Sequence, residues 1–325
     1  MPLFSREQIE AAAALVYQQM PPTPQYSWPL LNQKLGLEVW VKHENHTPIG
    51  AFKIRGGITY VDWLKRTQPD IRGICTATRG NHGQSQAKAA TSLGLKTKVF
   101  VPEGNSFEKN AAMAAFGAEV MVSGKDYDEA SDAAKKAAEE EGLSIVPSFH
   151  TELVRGVSTY ALEFFTQAPA LDTVYVPIGC GSGICGVIAA RDALGLRTNI
   201  VGVVSERAQA PKLSAEAGVM IETESAKTFA DGIAVRIPVK AALDIYSAGA
   251  ERFVAVSDDD IAEAMRLLYT TTHNVAEGAG AAPLAGLLKD RDQMRGQRVG
   301  IILCGGNIDR DIFVTVLNGE TPICN

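Results

Sequence analysis

Cysteine is scarce in this chain. Five residues, at positions 75, 180, 185, 304 and 324, form no CxxC pair and leave an odd count. That pattern does not read as a disulfide framework, and it suits a reducing cytoplasm. No apolar run reaches the roughly 18 residues that a membrane-spanning helix needs. Basic residues carry no surplus: the net charge is −6, with no Lys/Arg cluster. Neither a nucleic acid nor an anionic membrane is therefore an expected partner. Fixed-period repeats, low-complexity tracts and metal-ligand spacings are absent as well.

What is there reads as a globular α/β protein. Hydrophobic residues make up 46% of the 325 positions and charged residues 21%, and that length favours two lobes over one core. Ser5 with Gln8 forms a capping box, so the N-terminus reads as an amphipathic helix rather than a signal peptide. Strand-like apolar runs at 37–41, 73–77, 96–101, 119–122, 173–177, 200–204, 253–256 and 299–303 alternate with helical patterns. The clearest helices are 82–92, 127–141, 183–194 and 258–272, the last opened by a second capping box, Ser257 with Asp260. Such alternation predicts parallel sheets covered by helices.

Four glycine-rich turns stand out, at 47–57, 78–84, 179–186 and 304–307. Three follow a candidate strand directly. Ligands of open α/β sheets sit at the carboxyl ends of strands, so the four turns predict one cleft. In the third, clustered glycines between a strand and a helix let backbone N–H groups crowd around a phosphate, aided by the helix dipole. Gly181, Gly183 and Gly186 also satisfy GxGxxG, with Glu206 about 20 residues on, which is the dinucleotide fingerprint. This segment alone does not choose between a nicotinamide cofactor and a smaller phosphorylated one. Lys53, beside Phe52 at a helix start, is a candidate amine nucleophile.

The wording of the turns is more specific than their glycine content. Glu44-Asn45-x-x-Pro48-x-Gly50-Ala51-Phe52-Lys53-x-Arg55-Gly56 resembles the lysine motif of the fold type II (tryptophan-synthase-like) pyridoxal-phosphate enzymes. The branch of threonine/serine dehydratases and serine racemase fits best. Thr78-Arg79-Gly80-Asn81-His82-Gly83-Gln84 is similar to that family's substrate-carboxylate loop. Gly179 to Gly183 resembles its phosphate loop, and Cys304-Gly305-Gly306-Asn307 the turn beneath the pyridine nitrogen. Order and spacing agree across nearly the whole chain.

The resemblance implies a fold and a set of roles. The fold would be α/β, with two doubly wound open parallel-sheet domains and the cofactor cleft between them. Residues 1–52 and 149–325 would form the large pyridoxal-phosphate domain, and 53–148 a small inserted domain. Lys53 would hold the cofactor and later carry the Cα proton, with Phe52 stacked on one ring face. Asn81 would bond the 3′-oxygen. Gly179, Cys180, Gly181, Ser182 and Gly183 would hold the phosphate, and Thr78, Gly80, Asn81 and His82 the substrate carboxylate. Glu277 would line the site. Cys304 would face the pyridine nitrogen, where a thiol cannot keep that nitrogen protonated; β-elimination is then favoured over transamination.

The expected enzyme is a pyridoxal-phosphate ammonia-lyase, converting an L-threonine/L-serine-type 3-hydroxy amino acid to a 2-oxo acid and ammonia. A dehydratase for 3-hydroxyaspartate or a bulky substrate such as phenylserine, a β-replacement synthase and a serine racemase are the alternatives. Arg79 replaces the serine that racemases use as second acid/base, and arginine offers no such base. Its fork could instead bind a distal substrate carboxylate. The divalent-metal site of some relatives pairs a glutamate with an aspartate six residues on; here the positions are Glu206 and Lys212, so no metal is expected and the two could pair. A homodimer is expected from the resemblance alone.

Overall fold

In the computed structural model, which describes residues 2–323, the chain builds two sheets. The larger contains β1 (Gln25–Ser27), β2 (Glu38–His43), β7 (Thr173–Pro177), β8 (Asn199–Ser205), β9 (Arg252–Val256) and β10 (Arg298–Leu303), in the order β1-β2-β10-β7-β8-β9. The smaller contains β3 (Gly73–Ala77), β4 (Lys96–Val101), β5 (Glu119–Val122) and β6 (Ser144–Ile145), in the order β5-β4-β3-β6. All pairings are parallel except β1 with β2. The helices are α1 (Arg6–Val16), α2 (Pro29–Leu35), α3 (Lys53–Thr67), α4 (Asn81–Thr91), α5 (Phe107–Ala115), α6 (Tyr127–Glu141), α7 (Thr151–Gln167), α8 (Ser182–Ala193), α9 (Ala210–Ala217), α10 (Lys240–Gly249), α11 (Asp258–Thr272), α12 (Gly278–Lys289) and α13 (Arg310–Leu317).

Burial explains the pattern. β7 is buried along its whole length, and β8 and β10 are buried but for their first residues. Their Val/Ile-rich runs suit strands covered on both faces. β5 is an edge strand of the smaller sheet and is largely exposed. Both capping boxes read from the sequence are present, at Ser5/Gln8 and Ser257/Asp260. Two short strands, β1 and β6, were not expected. No helix of the described residues is long and apolar enough to cross a membrane.

Strand order decides where the turns go. β2, β10 and β7 are neighbours although they come from the start, the end and the middle of the chain. The three turns that follow them therefore lie side by side at one carboxyl edge. The fourth turn follows β3 in the smaller sheet. α3 packs against both α4 and α7, and glycines set the approach. A Cβ on Gly156 would stand 2.2 Å from the Arg55 carbonyl oxygen, and one on Gly57 would stand 2.3 Å from Ser85 Oγ. The first turn of α3, with Lys53 at its start, is thus clamped between α4 and α7.

Candidate active site

The turn before Lys53 is tied down from within and from the turn after β10. Thr47 Oγ1 donates to the Ala51 carbonyl (2.7 Å) and accepts from the Ala51 amide (2.9 Å). Phe52 N–H donates to the Cys304 carbonyl and Gly306 N–H to the Gly50 carbonyl, both at 2.9 Å. Asn307 Nδ2 donates to the Ile49 carbonyl at 2.7 Å. Ser85 Oγ on α4 donates to the Lys53 carbonyl at 2.7 Å, which fixes the helix start. Lys53 Nζ stands 4.8 Å from the centroid of the Phe52 ring.

A cluster of buried charge stands behind this turn. Arg55, wholly buried, donates to Glu44 (2.7 and 2.9 Å) and to Glu163 (2.6 and 2.9 Å). Lys42 donates to Glu163 at 2.6 Å. Two cations meet two carboxylates, so no buried charge is left over.

In the 179–183 turn, none of the amide N–H groups donates to another described group of the protein. Gly181 caps α8 in the left-handed region, at φ 96°. The space around the turn excludes side chains: a Cβ on Gly179 would lie 2.2 Å from the Gly232 carbonyl oxygen, and one on Gly181 2.6 Å from Ala242 Cβ. A Cβ on Gly183 would meet the Phe52 ring edge at 3.7 Å. Phe52 therefore joins the lysine turn to the glycine turn. Its ring also meets Tyr160 edge-on at 6.1 Å. The Tyr160 hydroxyl donates to the Gly183 carbonyl (3.2 Å).

The 78–82 turn closes the site from the smaller sheet. Thr78 Oγ1 accepts from Gly80 N–H (3.0 Å) and Gly83 N–H (3.3 Å). Asn81 Oδ1 accepts from Asn307 Nδ2 (2.8 Å), and its Nδ2 donates to Glu277 Oε1 (2.7 Å). His82 Nε2 is buried with no protein partner. Burial, and then the nearby Lys53 ammonium, push its imidazole down to about 3, so it is neutral. Arg79 is exposed. Cys304 is buried, and burial followed by the Glu277 charge holds its thiol well above the usual range. Glu277 is pushed up to about 7 by burial, against the pull of Lys109.

The contacts thus bring Phe52, Lys53, Asn81, the 179–183 turn, Glu277 and Cys304 together, with Thr78, Gly80 and His82 on the adjoining loop, while Arg79 on that loop is exposed. Two residues were missed. Lys109 on α5 is buried, with Nζ 2.5 Å from Asp231 Oδ2 and 3.6 Å from Glu277 Oε2. Ser106 as N-cap was the available signal for α5; nothing local marks Asp231. One pairing is corrected. Lys212 pairs with Glu216 (2.7 Å), not Glu206. The ammonium at Glu206 belongs to Lys289 (2.8 Å), which also reaches Asp260 (3.1 Å) and the Ala255 carbonyl (2.9 Å). Lys289 stands at the far end of α12, 83 residues on in sequence.

Comparison with known proteins places the chain in a family. The family model described as "Pyridoxal-phosphate dependent enzyme" matches residues 16–305. An L-threonine ammonia-lyase of Geobacter sulfurreducens is 36% identical over 290 residues, 89% of this chain and 72% of that one. An L-threo-3-hydroxyaspartate ammonia-lyase of Saccharomyces cerevisiae is 28% identical, over 92% of this chain and 91% of that one. Among solved structures, a threonine deaminase from T.th. superposes with a TM-score of 0.88 at 31% identity, covering 94% of this chain and 99% of that one. The chain belongs to the pyridoxal-phosphate dependent enzymes, in the fold type II branch of threonine/serine dehydratases and serine racemases, and its cofactor is pyridoxal phosphate.

Proposed function

We propose that this enzyme is an ammonia-lyase, removing water and ammonia from an L-threonine/L-serine-type 3-hydroxy amino acid to leave a 2-oxo acid. One observation carries the reading: Lys53 and the unpaired amides of 179–183 both meet the Phe52 ring, whose amide is bonded to the carbonyl of the buried, neutral Cys304. The residues present fit the cofactor. Five amides without acceptors at a helix start suit a dianionic phosphate, and glycine is required where a Cβ would fill the cradle. When bound, pyridoxal phosphate supplies an electron sink for the bonds at the substrate's Cα.

The chain's own residues do the rest. Lys53 Nζ binds the cofactor at rest and takes the Cα proton as general base during turnover. Asn81, whose amide Glu277 and Asn307 hold in one sense, would be the residue that orients the cofactor. The Thr78–His82 loop binds the substrate carboxylate, with neutral His82 as a hydrogen-bond partner rather than a second cation. Cys304, its thiol kept protonated by burial, would be the residue offered to the cofactor's ring nitrogen. We further propose that residues 53–148 act as a lobe inserted between 1–52 and 149–325, and that it closes on substrate to exclude water.

A second reading has a specific observation behind it. Arg79 is exposed in the substrate loop, where a guanidinium could grip a distal carboxylate, and one relative is a 3-hydroxyaspartate ammonia-lyase. Assay of 2-oxo acid release from L-threonine, L-serine, 3-hydroxyaspartate and phenylserine separates the two. Turnover of none of them would remove the lyase reading altogether.

A further inference from the structure

The first turn of α5 reaches the loops of the larger sheet at three places. Ser106 Oγ donates to Asp309, Arg310 N–H donates to Glu108 (3.0 Å), and Lys109 Nζ bridges Asp231 and Glu277. The Lys109 stem runs across the substrate loop on the way: a Cβ on Gly80 would stand 2.4 Å from Lys109 Cδ. Its side chain is only 7% exposed. A buried ammonium threaded through a glycine gap to a buried carboxylate does more than solubilise a surface.

What it reaches matters. Glu277 is buried and spends Oε1 on the Asn81 amide; Oε2 has no hydrogen-bond donor and faces Lys109 at 3.6 Å. Asn81 is held in one sense only while its Oδ1 faces Asn307 and its Nδ2 faces an acceptor. We infer that Lys109 is a positioning residue, holding Glu277 as the acceptor that orients the Asn81 amide whenever α5 is docked on the larger lobe. This rests on the reading above, in which Asn81 meets the cofactor.

The groups facing Glu277 come from four elements. Lys109 projects from α5, Asp231 from the turn before α10, Lys53 from α3 and the Cys304 thiol from the turn after β10. Burial raises the Glu277 carboxyl, Lys109 and Lys53 lower it, and Asp231 raises it. Two neutral variants should therefore act in opposite directions. Lys109→Met removes the cation that favours the carboxylate. Asp231→Asn removes the anion that opposes it and frees Lys109 for Glu277.

The test is a ¹³C NMR titration of glutamate carboxyls in the pyridoxal-phosphate-loaded full chain, with the Glu277 signal assigned by its loss in Glu277→Gln. The expected midpoint rises by at least about one pH unit in Lys109→Met, falls in Asp231→Asn and is restored in Lys109→Arg, as an opposite charge within contact range requires. The acid limb of kcat/KM should move with it. An unchanged midpoint in Lys109→Met, or a rise in Asp231→Asn, overturns the assignment. Should Lys109→Met not fold, Asp231→Asn and Lys109→Arg carry the same test. A parent that binds no pyridoxal phosphate refutes the proposed function instead, and the Glu277 titration is then read in the cofactor-free chain.

Discussion

Lys53 and Gly183 share the Phe52 ring: the ammonium stands 4.8 Å from its centroid, and a methyl on Gly183 would sit 3.7 Å from its edge. An amine and a turn of unpaired backbone amides are thereby set one aromatic ring apart, more than a hundred residues apart in sequence. The spacing suits a cofactor carrying an aldehyde at one end and a phosphate at the other.

Gly181 tests the cradle. It sits at φ 96°, and a Cβ would press on Ala242 at 2.6 Å. Strain of about 1–2 kcal/mol from the backbone alone, plus that contact, displaces the amides. Gly181→Ala should weaken pyridoxal-phosphate affinity about tenfold or more, read by titrating the visible absorption of the bound cofactor. Unaltered affinity would place the phosphate elsewhere.

Arg79 tests substrate choice. Loss of a charge-assisted hydrogen bond is worth about 1.5–3 kcal/mol. If the guanidinium binds a distal carboxylate, Arg79→Ala should lower kcat/KM for 3-hydroxyaspartate at least about tenfold and leave L-threonine turnover nearly unchanged. Equal loss on both substrates would assign Arg79 to the loop's structure.

The charge cluster behind Lys53 tests stability. Removing one partner of a buried pair leaves an uncompensated charge and costs about 3–5 kcal/mol. Glu163→Ala should lower the thermal midpoint by several degrees, and the fall should exceed that of an exposed pair such as Lys240–Asp244. Burial pushes the Glu163 carboxyl up, but Arg55 and Lys42 outweigh it and hold it below the ordinary value. Its contribution is therefore full above the unfolded carboxyl's range and lost as pH falls through the lower folded one. Acid unfolding of the parent should begin below about pH 4 and soften in the variant.

Thiol labelling tests the electrostatics of Cys304. Burial holds Cys75, Cys185 and Cys304 above the usual thiol range, whereas Cys180 is half-exposed in the glycine turn. Thiolate is the reactive form. Among these four, Cys180 should alkylate first at pH 8 and the buried three only on unfolding; mass mapping reads the order. Early labelling of Cys304 would contradict a protonated thiol at the ring.

Much of this was legible in the sequence. Local chemistry marks a turn: glycines after an apolar run, a lysine after Ala51-Phe52, a serine capping a helix. The eight expected strands are present, several extended by a residue or two where ladder partners carry the pairing past the apolar run. β6 has two residues, Ser144 and Ile145, and is a strand only because β3 lies beside it. Long-range charge was not legible. Lys109 reads as an ordinary helix-face lysine until α5 is laid against Asp231 and Glu277. Lys289 displaces Lys212 as the partner of Glu206 because the end of α12, not the helix next in sequence, faces that strand end.

The most direct measurement is borohydride reduction of the cofactor-loaded enzyme followed by peptide mass mapping. One phosphopyridoxyl group is expected, on Lys53, and none in Lys53→Ala. A label on any other lysine, or no label in a protein that binds pyridoxal phosphate and turns over substrate, would contradict the role given to Lys53.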